Sequence, residues 1–211
     1  MNILHINANP KPAAEANSKQ LTEAFFKSLK QANSAASITA VDLYADPPPF
    51  YDYATYRNFW YPVFDASFKP TAAEKKAVAY AEKHIRCFKQ ANLLVFTTPM
   101  WNFSMPGILK SWIDQVIMPN HTFTIGADGV KPLHQVKAIA VLASSGGAYE
   151  PGNPRDCLIP AIQAAFGFLG ITDVRLAWAQ GQNPFFFKDS AERKAKALVE
   201  AAALGTQCAR L

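Results

Sequence analysis

Apolar positions in this chain fall into short unbroken runs and into sets spaced three or four apart, and the two kinds of segment take turns. Ile3 to Asn7 reads as a strand. After a polar, proline-containing loop from Asn9 to Asn17, Leu21, Phe25 and Leu29 recur every fourth residue, which predicts a helix from about Ser18. Ser37 to Leu43 alternates weakly and reads as a second strand. Thr71 and Glu74 form a capping box that opens a helix running to about Gln90. The apolar run that begins at Asn92 predicts a buried third strand over Leu93 to Thr97. Pro106 suits a first helical turn, and Ile108, Leu109, Trp112, Ile113 and Val116 follow on one side. Val136 to Ala143 and Asp173 to Ala177 read as the fourth and fifth strands. The remaining helices are Cys157 to Phe168, closed by Gly170, and Asp189 to about Gln207, with Asp189 as its cap.

This strict alternation predicts an α/β fold with a doubly wound parallel sheet and helices on both faces. Five strands match the flavodoxin-like order 2-1-3-4-5, which gathers the loops after strands 1, 3 and 4 at one edge. Two segments break the rhythm. Tyr44 to Pro70 holds three consecutive prolines and ten aromatics, among them Phe59 and Trp60. It reads either as a loop packed on its own domain or as a subunit contact or active-site wall. Pro119 to Leu133 is a glycine-containing excursion with His121 and Phe123.

At 211 residues the chain has the length of one domain, taken as residues 1–211. Charged residues are 18%, below the usual quarter, so buried surface is extensive. The net charge of +5 is spread over predicted helices. No basic block carries interleaved aromatics, so nucleic acid is not the expected partner. Cys87, Cys157 and Cys208 are odd in number and far apart, which is no disulfide framework. The N-terminus is not a signal peptide, and no apolar run reaches transmembrane length. The expectation is a soluble cytoplasmic protein with no membrane partner. The four histidines have no metal-ligand spacing, so no metal is expected.

The candidate chemistry lies in three loops. The first runs from Asn7 through Asn9 to Asn17 and Ser18 and feeds a helix N-terminus, whose free N–H groups and dipole suit an anion. Asn17 and Ser18 either donate to a phosphate or cap the helix. There is no GxGxxG and no P-loop lysine. The second loop, Pro99-Met100-Trp101-Asn102-Phe103, offers N–H groups, an amide and aromatic faces at the end of a buried strand, as a planar aromatic cofactor needs. The third, Ser144-Ser145-Gly146-Gly147-Ala148-Tyr149, lets backbone approach a ligand closely.

Met100-Trp-Asn-Phe103, Ser144-Ser-Gly-Gly147 and the helix after Met105-Pro-Gly resemble the FMN-dependent NADH azoreductase and NAD(P)H quinone oxidoreductase family, which has a flavodoxin-like fold. The resemblance runs from the first strand to Val174 and is weakest over Pro47 to Phe68. It implies bound FMN, with NADH or NADPH as co-substrate, and two-electron ping-pong reduction of quinones and azo compounds at flavin N5. It implies that the Met100–Phe103 loop contacts the ring edge and that the N–H groups of the Ser144–Gly147 loop face the N1/O2 edge, where negative charge accumulates on reduction. No catalytic side chain is assigned; Asn102 and Tyr149 are the candidates. Tyr149 is expected to close over the pocket. The family also implies a homodimer whose second subunit completes the site, with Phe59, Trp60 and Phe123 as substrate walls. Asn9 stands where the family has serine, and Ser145 where many relatives have arginine. Two other readings are an electron carrier of the flavodoxin type, against which the positive charge argues, and an acyl-carrier-protein phosphodiesterase-like hydrolase, for which no metal or nucleophile arrangement exists.

Overall fold

A computed structural model describes residues 1–211. The first strand, β1 (Asn2–Asn7), leads through a 3-10 turn at Ala13–Glu15 to α1 (Asn17–Ala32) and β2 (Ser37–Asp42). Then follow α2 (Tyr53–Phe64), α3 (Ala72–Ala77), α4 (Ala79–Gln90), β3 (Leu93–Pro99) and α5 (Gly107–Val116). The chain continues with β4 (Phe123–Gly126), β5 (Gly129–Pro132), β6 (Ala138–Ser144), α6 (Ile159–Gly167), β7 (Val174–Ala179) and α7 (Ser190–Cys208). The main sheet has the order β2-β1-β3-β6-β7, with every pair parallel. Counting only its five strands, this is the order 2-1-3-4-5.

Period-two alternation splits the buried strands between two cores. Leu4, Ile6, Leu94, Phe96, Ile139 and Val141 face α4, α5 and α6 and pack with Phe88, Trp112 and Phe166. Ile3, Leu93, Val95, Ala138 and Ala140 face α1 and α7, where Leu21, Phe25, Leu29, Ala197 and Ala201 close the layer. A methyl group on Gly205 of α7 would overlap the Phe25 carbonyl of α1, so this pair approaches backbone to backbone. Register aligns Asn7 with Thr97, and Pro99 with Ser144, so the loops after β1, β3 and β6 leave the sheet side by side.

Three expectations need correction, and a fourth holds in part. Residues 53–64 form a helix rather than irregular chain. Asp52 caps it by accepting from the Thr55 N–H at 2.8 Å. Tyr53, Tyr56, Trp60 and Phe64 line one stripe, with centroids 6.3–6.4 Å apart and rings within 22° of parallel. The capping box at Thr71 and Glu74 is present, but the expected helix to Gln90 divides at Val78, which is buried at φ −93° and ψ 0°. The excursion after α5 contains a second, two-stranded antiparallel sheet, β4–β5. Asp189 stands at the N-cap of α7 as expected, but its side chain makes no cap bond and pairs instead with Arg193 at 2.9 Å.

Candidate functional site

Four loops at the carboxyl edge of the sheet border a crevice of about 250 Å³. It is lined by Asn9, Lys11, Glu15, Asn17, Pro99, Met100, Trp101, Ser144, Ser145, Gly146, Gln182 and Asn183. Three of these loops were expected from sequence. The fourth, which joins β7 to α7, brings Gln182 and Asn183.

The loop after β1 is tied internally by amides. Asn7 Nδ2 donates to Asp42 Oδ2 at 2.9 Å, and the Asn9 N–H donates to Asn7 Oδ1 at 3.2 Å. Asn9 Oδ1 accepts the Lys11 N–H at 3.1 Å, while its Nδ2 donates to Ser18 Oγ at 2.9 Å. An asparagine here therefore bridges two turns that a serine would be too short to join. Ser18 is fully buried and holds the loop rather than facing the crevice. Neither Asn17 nor Ser18 caps α1: the N-cap is Ala16, which has no side-chain cap bond. The N–H groups of Asn17, Ser18 and Lys19 have no acceptor in the chain, so the positive end of a 16-residue helix opens at the crevice beside Lys11 and Asn17.

Below this loop lies a polar relay. His5 Nε2 meets Thr97 Oγ1 at 2.8 Å, Thr97 meets Thr22, and Thr22 Oγ1 donates to the Ser18 carbonyl at 2.9 Å. Burial lowers the His5 pKa to about 4, so its imidazole is neutral at pH 7.

The loop after β3 makes a tight two-residue hairpin. Trp101 and Ser104 exchange backbone bonds at 3.0 and 3.1 Å, and between them Asn102 (φ 47°) and Phe103 (φ 70°) both sit in the left-handed region. Asparagine tolerates that region; phenylalanine there is strained. The Cys157 N–H donates to the Phe103 carbonyl at 2.9 Å and steadies the turn. The N–H groups of Asn102 and Phe103 have no acceptor, and Trp101, Asn102 and Phe103 are all exposed. Met100 is buried, with its N–H donating to the Ser144 carbonyl at 2.7 Å.

In the loop after β6, the Ser145, Gly146 and Gly147 carbonyls accept from Gln182, Asn183 and Gly181 at 2.8–3.2 Å. The Gly146 and Gly147 N–H groups remain unused. Ser145 turns its hydroxyl onto the Gly147 carbonyl at 2.8 Å, closing the loop on itself where an arginine would reach outward. A Cβ on Gly147 would lie 2.8 Å from the Tyr149 hydroxyl, so the absence of a side chain there makes room for the tyrosine. Tyr149 does not cover the crevice. Its ring stacks on Trp178, with centroids 5.8 Å apart, and lines a separate cavity with Arg193 and Lys196.

The three aromatic residues expected as substrate walls are not at this crevice. Phe59 is buried against His121 and Phe123 is buried against Phe168. Trp60 borders an apolar cavity of about 400 Å³ with Tyr51, Ile113, Ile117, Met118 and Phe168. Lys11, Glu15, Gln182 and Asn183 were missed. The signal for the last two was their position after a fifth parallel strand, at the edge where such folds bind ligands.

A family model described as flavodoxin-like fold matches residues 1–204. The chain is 32% identical over 203 residues to FMN-dependent NADH:quinone oxidoreductase 3 of Bacillus cereus, covering 95% of this chain and 96% of the relative. It is 33% identical over 186 residues to the FMN-dependent NADH:quinone oxidoreductase of a Nostoc species, covering 86% and 87%. Among solved structures it superposes on azoreductase AzrA with TM-score 0.88 at 30% identity, covering 98% and 100%. It superposes on an FMN-dependent NADH-azoreductase from Bacillus anthracis in complex with FMN with TM-score 0.86 at 26% identity, covering 99% of each chain.

Proposed function

The chain belongs to the flavodoxin-like fold family that contains the FMN-dependent NADH:quinone oxidoreductases, and from that premise we propose that it reduces quinones and azo compounds with NADH through bound FMN. One observation carries the reading: three loops with unspent backbone N–H groups border a single crevice. FMN has acceptors to match them, a dianionic phosphate and the carbonyl edges of its ring. When bound, it supplies transfer of two electrons from a nicotinamide to an acceptor.

The rest is work for the polypeptide. The open end of α1, with Asn17 and Lys11, holds the phosphate. Asn9 and Ser18 fix the loop that presents it. Pro99 and Met100 form the floor, and Trp101 supplies an exposed aromatic wall. The Asn102 and Phe103 N–H groups, just beyond the crevice lining, would hold one edge of the ring. Those of Gly146 and Gly147 would stabilise negative charge on a bound ring. Ser144 and Ser145 support that loop. No side chain at the crevice is required as an acid or base.

A crevice of about 250 Å³ lies below the roughly 300–1,000 Å³ of pockets that enclose a drug-sized ligand. That shortfall supports the reading of a homodimer in which the partner subunit supplies the missing wall. The exposed aromatic stripe of α2 and the apolar cavity beside Trp60 are the surfaces for it. Phe59 and Phe123 would then back the wall rather than form it. No helix is long and apolar enough to cross a membrane, and three free cysteines fit a reducing compartment such as the cytoplasm. The whole of 1–211 is read as one FMN-binding domain.

The test is spectroscopic. Purified protein with added FMN should show a perturbed flavin spectrum. Anaerobic NADH should bleach it in one two-electron step, with NADPH as the competing donor, and benzoquinone should restore it with ping-pong kinetics. Failure to bind FMN would sink the reading.

A further inference from the structure

We infer that Gln182 is a positioning residue for the phosphate end of the cofactor site, acting through Asn17; this rests on the FMN reading above. The Gln182 amide has every polar atom engaged. Its Nε2 donates to the Gln180 and Ser190 carbonyls, each at 3.0 Å, and its Oε1 accepts from Asn17 Nδ2 at 2.9 Å. This arrangement settles the orientation of both amides. Reversing Gln182 would set its oxygen against two carbonyl oxygens, so Oε1 must face Asn17. Asn17 is thereby compelled to present its nitrogen, and one N–H of that nitrogen stays unspent.

Asn17 is the first residue of α1, at the rim where Ala16 cannot cap the helix. An untethered asparagine there can fold back and compete for the helix's own free N–H groups. Held by Gln182, it stands clear of them and adds a donor beside them. The tie also joins the crevice from opposite ends of the chain, since Asn17 and Gln182 are 165 residues apart. Glu15 lines the same rim, so a correctly oriented donor matters more there: the anion must be held beside a carboxylate.

The experiment compares FMN with riboflavin, which lacks the phosphate, by fluorescence titration of the apoprotein. Gln182→Met keeps length and removes the hydrogen bonds. It should weaken FMN binding about tenfold, the scale of one charge-assisted bond, and leave riboflavin binding unchanged. Gln182→Glu should weaken FMN further, because it adds a negative charge and meets two carbonyl oxygens, and the loss should shrink as pH falls. Asn17→Ala should match Gln182→Met, and the double variant should be no worse than either alone. The melting temperature of each apoprotein reports whether it remains folded. Equal loss of FMN and riboflavin binding, unchanged FMN binding in Gln182→Met, or additive losses in the double variant would overturn this role while the FMN reading stood. A wild-type protein that binds neither flavin would overturn both.

Discussion

The two faces of the sheet are built on opposite principles. Toward α4, α5 and α6 the core is filled by large rings: Phe88, Phe96, Trp112 and Phe166 interlock at centroid distances of 5.6–6.2 Å. Toward α1 and α7 the layer mixes Leu21, Phe25 and Leu29 with alanines, and the tightest approach is that of Gly205 to the Phe25 backbone. Side chains set the spacing on the first face, and backbones set it on the second. Flexible rings can shift to absorb a change; a carbonyl in a helix cannot. The rigid face is the one that carries the N-terminus of α1 to the crevice. The molecule thus places its most exact contact behind the donors proposed for the phosphate.

Gly205→Ala is the severest way to probe the contrast. One methyl group directed at the Phe25 carbonyl should cost roughly 4 kcal/mol, beyond the usual overpacking range, and should also weaken FMN binding by displacing α1. Urea unfolding and FMN titration measure the two effects. On the other face, Phe166→Leu should cost only about 1–1.5 kcal/mol, and folded protein should keep its FMN affinity. If the two variants cost the same, the contrast between backbone and side-chain spacing fails.

Acidification loads both faces. Burial depresses the pKa of His5 beside α1 to about 4, and lowers those of His84 and His134 on the aromatic side. Each is neutral when folded, so the unfolded chain binds more protons below about pH 6.5. The stability these groups contribute is complete above that pH and is lost as pH falls toward the folded value. Between pH 7 and pH 5, wild type should lose about 4–8 °C more in melting temperature than His5→Gln, the shift expected of about 2 kcal/mol in a chain of this size. Equal losses would mean that His5 already titrates normally.

The mildest probe is Trp112→Phe. It keeps a ring against Phe96 and removes the N–H that donates to His84 Nδ1 at 3.2 Å. A loss of about 1 kcal/mol is expected, the scale of one neutral hydrogen bond. A loss several times larger would show that this face, too, is pinned by a fixed contact.

What could be read from the sequence divides along similar lines. Runs of one period were legible: the apolar strands, the Leu21–Phe25–Leu29 face of α1 and the Thr71–Glu74 box all carry local signals. Helix α2 did carry one, a stripe at 53, 56, 60 and 64 behind the cap residue Asp52, but Pro62 and the dense aromatics on every side hid it. The β4–β5 hairpin was masked in the same way by its short strands. At the site, the three loops were found because their residues are chemically unusual. Gln182 was not, because its importance depends on Asn17, and no local pattern reports a bond across 165 residues. Gly147 has a second role that no local pattern reports: only the packed structure reveals Tyr149 where its Cβ would stand.

The meeting of α1 with α7 has a consequence in time. During synthesis α1 leaves the ribosome early, but the surface that fixes it, from Ala197 to Gly205, emerges some 170 residues later. Until then the α1 end of the crevice has no rigid backing. A nascent chain truncated before Gly205 should therefore fail to retain FMN even if its first three sheet strands have paired. On that account, loading of the proposed cofactor would follow translation rather than guide it.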